Sequence, residues 1–290
     1  MDQASGLRSM IDAEDNKNRE NAKVLTVTSG KGGVGKSNTA VNLAVWFRKF
    51  GKRVIILDAD FGLANVGVMF DTISKYTLKD MIFEGKDIRD IITKGPMDIG
   101  FISGGSGISE LNDLRRDQVS YLVNSLSVLN ELCDILIIDT GAGVSDAVMQ
   151  FVLTSPEVLL ITTPEPASLT DSYSLVKALY KNPRFEGSGV NVRLIANKVN
   201  SKDEALAVYN KLNSVVRKFL GGEIDYLGMI PQDPLLEKAV RSQRVVTEAY
   251  PNAKSVRAYE GIARELLGDT NDSKRYGWGI SQILNRLIYA

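Results

Sequence analysis

A chain of 290 residues in which 35 Lys and Arg balance 35 Asp and Glu presents no global field that would favour nucleic acid or an anionic surface. It holds no histidine, which removes imidazole acid–base chemistry and the commonest zinc ligand. Its one cysteine, Cys133, excludes an internal disulfide and cannot hold a metal cluster alone. The length suffices to bury a sizeable core. No apolar stretch reaches the roughly 18 residues of a membrane span, and the charged N-terminus lacks the apolar core of a signal peptide, so a cytoplasmic chain is expected.

Residues 1–22 are polar, with Leu7, Met10 and Ile11 at i, i+3, i+4. So short a stripe makes a marginal helix by itself; it reads either as a disordered leader or as a peptide that folds on a partner surface. Val24-Leu25-Thr26-Val27-Thr28 is a β-branched run of the buried-strand type. It runs into Gly30-Lys31-Gly32-Gly33-Val34-Gly35-Lys36-Ser37, which fits the phosphate-loop pattern G-x-x-x-x-G-K-[ST] at every fixed position. A helix over 38–50 follows, and strand, glycine turn, helix is the context that pattern requires. The glycines let several backbone N–H groups converge, and the helix start adds positive potential there. Gly32, Gly33, Val34, Gly35, Lys36, Ser37 and Asn38 are therefore the expected phosphate contacts, Lys36 reaching the β- and γ-phosphates and Ser37 ligating Mg²⁺.

Strand and helix patterns then alternate. Residues 54–58 read as the second strand, 76–83 and 88–92 as short helices, and 99–102 as a short strand entering a glycine-rich loop at 103–107. A helix is expected over 117–132, then strong strands at 135–138 and 158–161. A helix at 171–180, a strand at 192–196, a helix at 201–219 and a strand at 226–230 come next, and helices near 235–242 and 253–267 close the series. Strands that read as apolar runs rather than alternations belong to a parallel sheet covered on both faces. The expected architecture is α/β: one doubly wound, mostly parallel domain over 23–268, with a leader at 1–22 and a terminal segment at 269–290.

Carboxylates cluster where the strands end, the edge at which such sheets bind ligands. Asp139 closes the third strong strand as a Walker B aspartate does, and Asp58 and Asp60 bracket the end of the second. Ser37, Asp58 and Asp139 form the candidate Mg²⁺ set. With no histidine present, Asp60 is the candidate for orienting the attacking water.

At the far end Ile280, Ile283, Leu284, Leu287 and Ile288 repeat at i, i+3, i+4, i+7, i+8, behind Lys274-Arg275-Tyr276-Gly277-Trp278. Basic and aromatic residues ahead of an apolar stripe suit a helix lying in the headgroup region. The same stripe suits docking on the chain's own domain or in a partner groove. Half-burying those aliphatic side chains yields about 4–7 kcal/mol, so one tail binds weakly and two on a dimer bind far better.

The lysine at position 31 is unconstrained in ordinary phosphate loops. Lys31-Gly32-Gly33-Val34-Gly35-Lys36-Ser37 resembles the deviant Walker A motif, K-G-G-x-G-K-[ST], of the MinD/ParA family of ATPases. Residues 56–65 resemble that family's switch I, 137–143 its Walker B and switch II, and 162–166 its strand-end segment. Asn197-Lys198 and residues 228–233 resemble its base-contacting loops. The resemblance implies ATP and Mg²⁺ as cofactors, slow hydrolysis with Lys31, Lys36 and Asp60 as catalytic residues, and ATP sandwiched between two subunits. Lys31 would cross to the partner's nucleotide, Glu165 would touch nucleotide across the dimer, and Asn197, Pro231 and Asp233 would surround the base.

Asp2-Gln3-Ala4-Ser5-Gly6-Leu7-Arg8 resembles the leader of the FlhG branch of that family, which activates the signal-recognition-type GTPase FlhF. The amphipathic terminus is similar to the branch's membrane-targeting helix. The implied protein is a dimerising, membrane-associating ATPase switch that limits flagellar number or placement. It would meet FlhF through Asp2, Gln3, Leu7 and Arg8, flagellar C-ring components as further partners, and the inner leaflet reversibly through its terminal helix. No nucleic-acid partner is expected. A MinD-like division-site regulator and a ParA-like DNA-partition ATPase are the alternatives within the family.

Overall fold

The apolar runs form central strands buried on both faces, while the edge strands, Thr93–Lys94 and Asp225–Pro231, are partly exposed. In chain order they are β1 (Lys23–Ser29), β2 (Val54–Ala59), β3 (Thr93–Lys94), β4 (Gly100–Ser103), β5 (Ile135–Ala142), β6 (Glu157–Thr162), β7 (Asn191–Val199) and β8 (Asp225–Pro231). They make one eight-stranded sheet in the order β3-β4-β2-β5-β1-β6-β7-β8. Every pairing is parallel except β3 with β4. The computed structural model describes residues 21–60, 65–105, 121, 125–185, 187–268 and 280. Asp2, Gln3, Leu7 and Arg8 of the leader, and Ile283, Leu284, Leu287 and Ile288 of the tail, lie outside them.

The helices are α1 (Lys36–Lys49), α2 (Asn65–Met69), α3 (Leu78–Glu84), α4 (Ile88–Ile91), α5 (Leu129–Leu132), α6 (Asp146–Thr154), α7 (Pro166–Lys181), α8 (Lys202–Leu220), α9 (Pro234–Arg241), α10 (Val246–Ala249) and α11 (Lys254–Gly268). Local chemistry sets their ends. Ser201 Oγ accepts from the Glu204 N–H at 3.1 Å to start α8, and Gly221, at φ +71°, stops it. Helix α7 begins five residues earlier than its apolar spacing predicts, because Pro166 is pre-set for the first helical turn. Helices α2, α6 and α10 and the two-residue strand β3 were not expected from the sequence. Of the helix predicted over 117–132, the described part includes α5.

Alternation within each strand divides the core. Leu25 and Val27 of β1 and Ile56 of β2 face a cluster with Leu43 and Phe47 of α1 and Tyr259 of α11. Val24, Ile55, Leu57, Leu136 and Ile138 face the opposite cluster, and Val158, Leu160 and Leu194 form a third with α7 and α8. Burying each large side chain is worth about 1.5–3 kcal/mol.

At the edge where the strands begin, charges are paired. Arg193 meets Glu157 at 3.1 Å and Glu265 of α11 at 3.7 Å, and Arg53 meets Asp134 at 2.7 Å. Lys23 Nζ donates to the Leu266 carbonyl of α11. Ile280, predicted to face a membrane, is 1% exposed and belongs to the second cluster. Its N–H donates to Asn130 Oδ1 at 3.4 Å, the same oxygen that accepts from the Ala22 N–H at 3.3 Å.

Candidate active site

The opposite edge is left open. Strand β1 ends at Ser29, and the chain turns through Gly30–Gly35 into α1. A Cβ on Gly30 would lie 2.1 Å from the Asp171 carbonyl carbon, so only glycine lets the loop pass the backbone of α7. Gly33 and Gly35 take φ of +76° and +100°, the left-handed conformations that the turn needs. Gly32 and Gly33 are exposed, and Lys36 is buried with its ammonium free of any hydrogen bond among the described residues. The Gly143 N–H donates to the Ser29 carbonyl at 2.9 Å, tying the segment after β5 to the loop. Asn38 turns its carbonyl to Asn42 Nδ2 at 2.8 Å within α1.

Parallel register brings the carboxylates together: Asp58 of β2 sits directly opposite Asp139 of β5. Asp139 is fully buried, and neither of its oxygens has a hydrogen-bond partner. Burial pushes it up to about 6, opposed by the nearby Ser37 hydroxyl and the Lys36 ammonium. A buried carboxylate without a partner is costly unless a cation completes it. With Ser37 beside it, the pair fits Mg²⁺, an ion that takes one or two protein ligands and fills its shell with phosphate oxygens and water.

Asp58 is arranged differently from its expected role as a free metal ligand. Its oxygens accept from the Asp60 N–H at 3.3 Å and the Val66 N–H at 3.1 Å, so it braces the turn from β2 into α2. Burial, and next the charge of Asp139, push it up to about 7. Asp60 is half-buried at the mouth, where Asn65 Nδ2 donates to its Oδ2 at 3.2 Å. Asn65 was not singled out from the sequence. An amide five residues past an acid has no motif spacing, and only the start of α2 brings the two together.

Lys31 and Glu165, expected in separate roles, form an ion pair of 2.8 Å within one chain. Each hydrogen-bonds the other's charge, which raises the Lys31 ammonium and lowers the Glu165 carboxyl from their usual ranges. Pro231 ends β8 half-buried. The base contact expected of Asp233 does not come from its carboxylate. Oδ1 caps α9 through the Leu235 N–H at 3.0 Å, and Oδ2 takes the Ser255 N–H at 2.9 Å and hydroxyl at 2.8 Å, leaving the residue 3% exposed. Asn197 likewise points to the loop, donating through Nδ2 to the Val34 carbonyl at 2.7 Å.

A glycine turn at the carboxyl edge of a parallel sheet, a buried lysine at the start of the next helix and a buried carboxylate suited to a cation define a P-loop nucleoside-triphosphatase. The chain belongs to the ParA/MinD family of these enzymes. A family model described as "NUBPL iron-transfer P-loop NTPase" (ParA) matches residues 20–267. The chain is 38% identical to the antiactivator FleN of Pseudomonas aeruginosa over 84% of this chain and 86% of that protein. It is 32% identical to the flagellum site-determining protein YlxH of Helicobacter pylori over 91% and 90%. Its fold is similar to that of the septum site-determining protein MinD complexed with Mg-ADP from Pyrococcus horikoshii, with a TM-score of 0.66, 21% identity and coverage of 84% and 96%. The chain is thus an ATPase that uses ATP with Mg²⁺. Iron transfer finds no cysteine pair in it: Cys133 stands alone, buried, and burial pushes its thiol up to about 12.

Proposed function

We propose that this ATPase is a switch that sets flagellar number or placement by cycling between a monomer and an ATP-bound dimer. The observation that carries the reading is the extent of likeness to FleN and YlxH, which runs over most of both chains and not through the phosphate loop alone.

In the proposed cycle the loop N–H groups and Lys36 take the triphosphate, and Ser37 and Asp139 would hold Mg²⁺. Mg²⁺ held there would supply positive charge against that of the phosphates. Asp60, steadied by Asn65, orients the attacking water. Lys31 exchanges Glu165 of its own chain for the nucleotide of a second copy, so that occupancy becomes pairing. The terminal helix leaves the body and binds the inner leaflet, and the leader, through Asp2, Gln3, Leu7 and Arg8, meets a GTPase of the FlhF kind. Flagellar C-ring components are further partners of the dimer. The buried position of Ile280 supports a tail held on the body at the start of this cycle. Hydrolysis returns monomers, so turnover sets the lifetime of the paired state.

Light scattering with ADP and with a non-hydrolysable ATP analogue tests the cycle, alongside liposome sedimentation and flagellar counts in a deletion strain. Asp60→Ala is expected to accumulate the ATP dimer, and Lys31→Ala to remain monomeric while still binding ATP. A Lys31→Ala variant that dimerises normally, or a deletion strain with unchanged flagella, would sink the proposal.

A further inference from the structure

The pair Asn197-Lys198, at the end of β7, lies beneath the phosphate loop. Asn197 is 2% exposed, and both ends of its amide are used: Nδ2 donates to the Val34 carbonyl at 2.7 Å, and Oδ1 accepts from the Lys198 N–H at 2.8 Å. Lys198 Nζ donates to the Gly33 carbonyl at 3.1 Å. Lys198 does this from φ +57°, a left-handed conformation that a non-glycine residue holds only where its surroundings enforce it. The loop is shaped to receive the pair, since a Cβ on Gly35 would lie 2.3 Å from Asn197 Nδ2.

Peptide planarity turns these two contacts into a statement about the phosphate site. In a trans peptide, the carbonyl of one residue and the N–H of the next point in opposite directions. Holding the Gly33 carbonyl toward Lys198 therefore aims the Val34 N–H the other way, and holding the Val34 carbonyl toward Asn197 does the same for the Gly35 N–H. Neither N–H finds an acceptor among the described residues. We infer that Asn197 and Lys198 are positioning residues for triphosphate binding, a clamp on two successive carbonyls that presets the N–H groups of Val34 and Gly35 toward the phosphates. Their work is on the polyphosphate and not on the base. The Lys198 ammonium adds positive charge beside the same loop, and it also acts on Glu165, the residue paired with Lys31.

A ligand with no base separates the clamp from a base contact. Calorimetric titration of the full chain with Mg-ATP and with magnesium tripolyphosphate is expected to show Lys198→Met weakening both by the same factor, about five- to tenfold. Lys198→Arg, which keeps a charged donor, should recover most of the loss. In steady-state hydrolysis over a range of ATP concentrations the KM of Lys198→Met should rise by a similar factor with kcat within about twofold. Lys198→Gly removes the ammonium while relieving the left-handed strain, so its thermal midpoint should not fall although its tripolyphosphate affinity does. A merely structural role would instead lower the midpoint and spare the affinity of the folded fraction. Tripolyphosphate binding that is unchanged in Lys198→Met and Lys198→Gly overturns the clamp, whether or not ATP binding weakens.

Discussion

Where its strands begin, the sheet uses up its charges. Arg193 and Glu157 are both under a tenth exposed and meet each other, with Glu265 of α11 closing over them. Where the strands end, Asp139 is buried with neither oxygen paired. An unsatisfied buried polar group costs about 1–3 kcal/mol. The chain therefore gives up stability at one edge, where a metal ion would complete that carboxylate, and anchors itself at the other.

Arg193→Ala attacks the anchoring edge and should have the largest effect on stability. It leaves the buried Glu157 without its strongest partner, and denaturant unfolding should show a loss of about 3–5 kcal/mol. ATP affinity of the folded fraction should not change; a parallel fall in affinity would mean that the two edges cannot be separated.

Asp139→Asn attacks the open edge and should move stability the other way. Folding raises this carboxyl from 3.8 to about 6, so its protonated form is favoured in the folded state. Its stabilising contribution is complete below pH 3.8 and is lost as pH rises to about 6, a swing of about 3 kcal/mol. Metal-free protein should thus melt higher as Asp139→Asn than as the parent at pH 7.5, with the gap closing toward pH 4. The same variant should lose Mg²⁺-dependent hydrolysis. Equal midpoints at pH 7.5 would show that the buried carboxylate is satisfied after all.

Gly30→Ala sets a methyl group against the backbone of Asp171 and should cost about 1–3 kcal/mol while displacing the loop, so nucleotide affinity should fall with the thermal midpoint. Glu165→Gln is the mildest change. Its ion pair with Lys31 is exposed, so the midpoint should hold while a freed Lys31 raises the extent of ATP-dependent pairing by about twofold, measured by scattering.

What the sequence revealed follows from how local each signal is. The glycine turn, α1 and the place of Asp139 in a buried strand were legible because each is carried by adjacent residues with one chemical reason for their order. Helix α6 was missed because Val148, Met149, Phe151, Val152 and Leu153 give it an apolar run with little polar face to mark a period. Asp233 was assigned to the base by resemblance, although Asp233-Pro234 is itself a helix-start signal and the carboxylate serves as that cap. Asn65 with Asp60, Lys31 with Glu165 and Lys198 with Gly33 depend on where strands end in space, which no spacing along the chain encodes.

Asn130 carries a consequence of a different kind. Because its single carboxamide oxygen receives the N–H of both Ala22 and Ile280, residues 258 positions apart stand side by side, on the edge of the sheet away from the nucleotide. The body is close to a closed circuit, so a short engineered bridge between those two points would leave the strand order untouched. Two copies meeting nucleotide face to nucleotide face would each carry that junction on the outward side, clear of the seam between them.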